Sequence, residues 1–164
     1  MPILDSSALD FVSRSPEQTR RMGIRLGALM QPGDLICLQG DLGSGKTTLV
    51  QGIAQGWGSL DPVTSPTFVL VNVYQRPDGH SLFHLDAFRL NSATEAEDLD
   101  LDALNESGAL VVEWAEKIKA ALQPESLWIH MRYVDEVQRG MIITPHGDRY
   151  IHLLKEFRRQ AFGG

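Results

Sequence analysis

The segment Gly40-Asp41-Leu42-Gly43-Ser44-Gly45-Lys46-Thr47 constrains this chain more than any other part of it. It matches G-x-x-x-x-G-K-[ST], a pattern that carries meaning only where an apolar strand leads in and a helix leads out. Leu35-Ile36-Cys37-Leu38 is a continuously apolar run of the kind buried on both faces of a parallel sheet. Downstream, Leu49, Ile53 and Trp57 recur at i, i+4 and i+8 beside Val50 and Ala54, which predicts an amphipathic helix. In that setting the glycines let backbone N–H groups curl around a di- or triphosphate while the helix N-terminus adds partial positive charge. Lys46 then reaches the outer phosphate oxygens and the Thr47 hydroxyl serves Mg2+.

The rest of the chain alternates strand and helix signals. Ser15-Pro16-Glu17-Gln18 reads as a helix start, with Ser15 as cap and Gln18 reaching back to close a capping box. Met22, Leu26, Leu29 and Met30 give that helix a buried face, and Pro32-Gly33 stops it. Thr64–Phe68 reads as a loop feeding a strand that runs through Tyr74, and Arg76-Pro77-Asp78-Gly79 turns it into a partner at Ser81–Leu85. Further strands are expected at Ala109–Val112, Trp128–Arg132 and Arg139–Thr144. Tyr150, Leu153, Leu154 and Phe157 mark a C-terminal helix. The segment with Glu95, Glu97, Asp98, Asp100 and Asp102 reads as a short helix plus loop with a solvated face. The expectation is α/β: a single P-loop NTPase domain over residues 1–164, with a mostly parallel central sheet flanked by helices.

Composition narrows the setting. A formal charge of −6 gives no field that attracts a polyanion, so no DNA partner is expected and any contact with RNA would be local or through a partner. Thr47–Leu60 and Pro62–Gln75 are the longest uncharged stretches, too short and polar to span a membrane. The first residues carry Asp5 and Asp10 and do not resemble a signal peptide. With the lone Cys37 inside an apolar strand, a buried thiol in the cytoplasm is expected.

A P-loop enzyme also needs a carboxylate near the metal, usually where an apolar strand ends. Asp86 ends Leu82-Phe83-His84-Leu85, and Glu113 ends Ala109-Leu110-Val111-Val112. Residue pattern alone leaves open which of them touches the metal. Thr64-Ser65-Pro66-Thr67, one helix after the phosphate loop, is hydroxyl-rich and suits either a nucleotide switch or a plain turn. His80, His84, His130, His146 and His152 form no zinc pattern. Lys155, Arg158 and Arg159 read as a solvated face of the last helix.

Taken in order, Gly40–Thr48, Thr64–Phe68, His84-Leu85-Asp86-Ala87-Phe88-Arg89 and Glu113-Trp114 resemble the TsaE family, the small bacterial P-loop ATPases required to make N6-threonylcarbamoyladenosine in tRNAs that read codons beginning with A. The resemblance runs from about Ser15 to Arg132, and the strand and helix from about 133 are less family-like. It implies that Gly43, Ser44, Gly45, Lys46, Thr47 and Thr48 bind ATP, that Thr47 and Glu113 ligate Mg2+, and that Asp86 serves the metal and hydrolysis. Thr19 corresponds to a family threonine near the nucleotide base. Ser44 replaces a common Ala, without consequence for a loop that works through its backbone, and Phe88 replaces a common Tyr. Implied partners are homologues of TsaD and TsaB, with tRNA reached only through their complex, and implied activity is an ATP hydrolase weak in isolation.

The competing expectation is a small-molecule or nucleotide kinase with the same P-loop. Its case is weakened because only Arg132 and Arg139, both in strand-like surroundings, are available between Glu116 and Gly140 for an arginine-rich lid. A GTPase switch would need an N-K-x-D motif, which the sequence lacks.

Overall fold

The computed structural model describes residues 7–41, 43–60, 71–90 and 93–163. Among the described residues, five α-helices, α1 (Pro16–Leu29), α2 (Lys46–Trp57), α3 (Ala93–Glu97), α4 (Leu101–Ser107) and α5 (Asp148–Phe162), flank seven strands. These are β1 (Leu9–Ser13), β2 (Leu35–Gln39), β3 (Val71–Gln75), β4 (Ser81–Asp86), β5 (Gly108–Glu113), β6 (Ser126–Tyr133) and β7 (Arg139–His146). The strands form one sheet in the order β1-β7-β6-β2-β5-β4-β3. Pairings β6–β2, β2–β5 and β5–β4 are parallel, while β3 and β7 run against their neighbours. Five of the seven strands therefore point one way, as expected for an α/β fold of this class.

Side-chain alternation along the strands divides the core into two layers. Ile36, Leu38, Leu82, Ala109, Val111, Leu127 and Ile129 face α1, α2 and α5. Leu35, Cys37, Leu85, Leu110 and Val112 face α3, α4 and the 3-10 helix Ala115–Ala121. Both faces of β2 and β5 are covered, which is why these strands read as unbroken apolar runs. Burial pushes the Cys37 thiol up to about 12, so it is a packing group.

Local signals explain where the elements start and stop. Ser15 Oγ accepts from the Gln18 N–H at 3.1 Å and Pro16 opens α1. The Gln18 side chain accepts from the Arg14 N–H at 2.6 Å, one residue earlier than a capping box requires, so the expected closure is shifted rather than absent. The Arg76–Gly79 turn joins β3 to β4 as an antiparallel hairpin, as expected. The acidic segment forms two short helices instead of one, separated by Asp100 in a left-handed conformation. Glu97, Asp98, Asp100 and Asp102 are exposed. The edge strand β1 is an addition: Leu9 and Phe11 lean on the core while Asp10 and Val12 face outward. The Thr64–Thr67 loop and Leu42 lie outside the described residues.

Helices α1 and α2 cross at backbone contact. A Cβ on Gly27 would stand 2.0 Å from the Ile53 carbonyl oxygen, and one on Gly56 would stand 1.9 Å from that of Ile24. Gly23 and Gly52 meet in the same way. This crossing fixes α2, and with it the phosphate loop, against the sheet.

Candidate functional site

Strands β2, β5 and β4 lie side by side and end together. Leu38 pairs with Glu113, and Glu113 in turn pairs with Asp86. The loop after β2 and the two acids thus share the C-terminal edge of the sheet, the usual ligand edge of an open parallel α/β fold.

The loop ends at Gly45, whose φ of +96° an L side chain rarely adopts. Helix α2 begins there without a side-chain cap, and its first bond runs from the Leu49 N–H to the Gly45 carbonyl. The N–H groups of Lys46, Thr47 and Thr48 consequently have no acceptor within the helix. Helix α1 shows the contrast, since Ser15 caps it. An uncapped N-terminus inside a glycine loop is a site for an anion.

Lys46 is buried and folds back on the loop. Its Nζ donates to the carbonyls of Gly40 at 2.5 Å and Asp41 at 2.8 Å, and to Ser44 Oγ at 3.2 Å. It also lies 4.3 Å from the centre of the Trp114 ring. Burial pulls its pKa below the usual lysine value, against the attraction of Glu113, Glu116, Asp41 and Asp86. Trp114 reaches this place because it follows β5 in a left-handed conformation, φ +58°, uncommon for a bulky residue. Phe88 packs on the same indole, with ring centres 5.0 Å apart, and is 44% exposed.

A cleft of about 350 Å3 brings together Gly43, Ser44, Gly45, Lys46, Thr47, Thr48, Asp86 and Glu113, with Trp114 and Arg139 completing its walls. Asp86 caps the 3-10 helix Ala87–Arg89 by accepting from the Phe88 N–H at 3.0 Å. Glu113 is buried, and its Oε2 lies 2.6 Å from His84 Nε2. Thr19 is not part of the cleft wall. It is buried at the start of α1, where its hydroxyl meets Ser13 Oγ at 2.7 Å.

The donors at the cleft, a threonine hydroxyl and two carboxylates, are hard oxygens that suit Mg2+ when phosphate oxygens and water complete its shell. Among the described residues, no group of three or more His, Cys, Asp or Glu is placed to hold a metal by itself.

Three participants were not expected from sequence. Arg139 donates from Nε to the Gly43 carbonyl at 3.1 Å and packs on the Tyr133 ring, so the β6–β7 hairpin braces the phosphate loop. His84 and Tyr74 stand behind Glu113, with Tyr74 Oη 3.4 Å from His84 Nδ1. The spacing of His84, two residues before Asp86 and thus on the same face of β4, was the one available signal.

Comparison with known proteins agrees with this geometry. Residues 13–141 match the family model for "Threonylcarbamoyl adenosine biosynthesis protein TsaE". The chain is 38% identical over 147 residues to the tRNA threonylcarbamoyladenosine biosynthesis protein TsaE of Bacillus subtilis, covering 88% of this chain and 90% of that protein. The protein of the same name from Streptomyces coelicolor is 43% identical over 138 residues, covering 80% and 93%. In three dimensions the fold is similar to the crystal structure of Bacillus subtilis YdiB, with a TM-score of 0.77 at 33% identity, over 93% of this chain and 95% of that one.

Proposed function

The chain belongs to the TsaE family, and we propose that it is a Mg2+-dependent ATPase that supports N6-threonylcarbamoyladenosine modification of tRNA by acting on the cytoplasmic complex of TsaB and TsaD homologues. The observation that carries this reading is the uncapped N-terminus of α2, wrapped by the glycine loop and faced across one cleft by Asp86 and Glu113.

In this reading Gly43–Thr48 hold the phosphates of ATP through backbone N–H groups, and Lys46 leaves the loop carbonyls to meet the outer phosphate oxygens. Thr47, Asp86 and Glu113 hold Mg2+, which screens the phosphate charge and orients the phosphates. Asp86 and Glu113 are also the groups able to orient a water toward the γ-phosphorus, giving ADP and phosphate. Arg139, held beside Gly43, adds positive charge at the loop. Thr19, whose hydroxyl meets Ser13 Oγ where α1 follows β1, is the residue that lies near the base in this reading.

Hydrolysis in such a protein resets an assembly, and the nucleotide state and partner affinity are then linked in both directions. The test measures ATP hydrolysis by the chain alone and with purified TsaB and TsaD homologues, together with partner affinity in ADP and in a non-hydrolysable ATP analogue. Expected are weak basal hydrolysis that rises with the partners and an affinity that depends on the nucleotide. Fast phosphate transfer to a small metabolite, indifferent to the partners, would decide for a kinase.

A further inference from the structure

Behind the two acids lies a polar group that the proposed chemistry does not use. His84 is fully buried, yet both its ring nitrogens are occupied: Nε2 by Glu113 Oε2 at 2.6 Å and Nδ1 by Tyr74 Oη at 3.4 Å. Its neighbours on the same face are the apolar Leu82, Ala109 and Val111, with Asn72 opposite it on β3. A leucine would fill such a place without any demand for partners, whereas a buried imidazole is tolerated only where its polar atoms are matched. Toward an ionised carboxylate, which only accepts, Nε2 is the donor, and a neutral ring in that tautomer offers Nδ1 as acceptor for the Tyr74 hydroxyl. Burial moves the Tyr74 phenol above its usual value, which keeps that hydroxyl a donor.

We infer that His84 is a positioning residue for Glu113: it commits one carboxylate oxygen to its Nε2–H and leaves the other for the cleft, while Tyr74 holds the ring in the tautomer that makes this possible. The register places it there. Asp86 sits opposite Glu113 at the mouth, and His84 is one same-face step deeper on β4, opposite Val111. The imidazole thereby does for a metal-facing carboxylate what outer hydrogen-bond partners do for ligands generally, fixing its orientation before the ion arrives. The inference rests on the reading of Glu113 as a Mg2+ and hydrolysis residue.

The experiment compares His84→Leu, His84→Gln and Tyr74→Phe with the parent and with Glu113→Gln. Each is assayed for ATP turnover, for KM, for thermal midpoint and for Mn2+ affinity in the ADP complex, followed by electron paramagnetic resonance. His84→Leu is expected to lower kcat and weaken Mn2+ binding by about tenfold or more, with KM within about threefold. His84→Gln, which keeps an N–H near the position of Nε2, recovers most of both. Tyr74→Phe lowers both by about threefold, and decides the matter if His84→Leu does not fold. Wild-type kcat and Mn2+ affinity in the folded His84 or Tyr74 variants, beside a damaged Glu113→Gln, would overturn this inference alone. So would equal losses in His84→Leu and His84→Gln that follow the thermal midpoint. Wild-type behaviour of Glu113→Gln would overturn the reading of Glu113 itself, and the inference with it.

Discussion

Two buried carboxylates, at opposite ends of the strands, each meet a basic side chain, and they differ in how completely they are enclosed. Asp34, just before β2, takes Arg149 through both oxygens, at 3.0 and 2.7 Å, and also accepts from the Gln31 N–H at 2.7 Å. Arg149 extends the same knot to the Leu29 carbonyl, and the neighbouring Tyr150 hydroxyl accepts from the Leu35 N–H. Asp34 holds the Arg149 guanidinium above its usual pKa. Glu113 has one such partner, His84, and opens on a cleft where burial depresses Lys46. The closed pair ties α5 to the start of β2. The open pair keeps charge where a ligand can meet it.

The largest expected effect breaks the open end. Glu113→Ala and Asp86→Ala should each lose about 100-fold or more of ATP turnover while keeping ADP within a few-fold of parental affinity; Asp86→Ala keeps a near-parental thermal midpoint, whereas Glu113→Ala lowers it by leaving the buried His84 Nε2 unpaired. Steady-state kinetics and calorimetry on the folded variants check this, and parental turnover would remove that residue from the site. The closed end should respond in the opposite way. Arg149→Ala leaves Asp34 buried without its cation, and is expected to cost about 3 kcal/mol in denaturant unfolding with little change in kcat of the folded protein.

A smaller effect is expected at the α1–α2 crossing. Gly27→Ala would drive a methyl group against the Ile53 carbonyl, so the helices must separate; a loss of about 2 kcal/mol is expected by thermal or chemical denaturation. Nucleotide affinity should fall alongside if α2 carries the loop with it. The mildest change is Arg139→Ala, expected to weaken binding of an ATP analogue about tenfold, or about 1.4 kcal/mol. If Arg139→Ala instead matched the loss at Glu113, the β6–β7 hairpin would count as part of the open end rather than a brace.

The sequence makes the open end legible where its parts are local. Strand, glycine loop and helix follow one another within Leu35–Trp57, and Asp86 and Glu113 advertise themselves by ending apolar strands. The supporting parts arrive through register. His84 meets Glu113 from 29 residues away, and Arg139 meets Gly43 from 96. Neither separation leaves a pattern in a window the size of a helix or strand. The glycines of α1 and α2 escape a search for large apolar residues, because their contribution is the absence of a side chain. Strand β1 is short, and an exposed Val12 followed by a buried Ser13 blurs its alternation. The Asp34–Arg149 knot depends on α5 packing back across the chain, and no local signal announces it.

The most direct test of the open end is a titration of a non-hydrolysable ATP analogue into the folded parent and into Lys46→Ala, with Mg2+ present and thermal midpoints measured in parallel. Lys46 is held by loop carbonyls, Ser44 and the Trp114 ring and belongs to none of the apolar core, so its removal is expected to leave the protein folded with a modestly altered thermal midpoint. The expected result is saturable single-site binding by the parent and a loss of about 100-fold or more in folded Lys46→Ala. Equal affinity in the two proteins would contradict the assignment of this cleft as the nucleotide site.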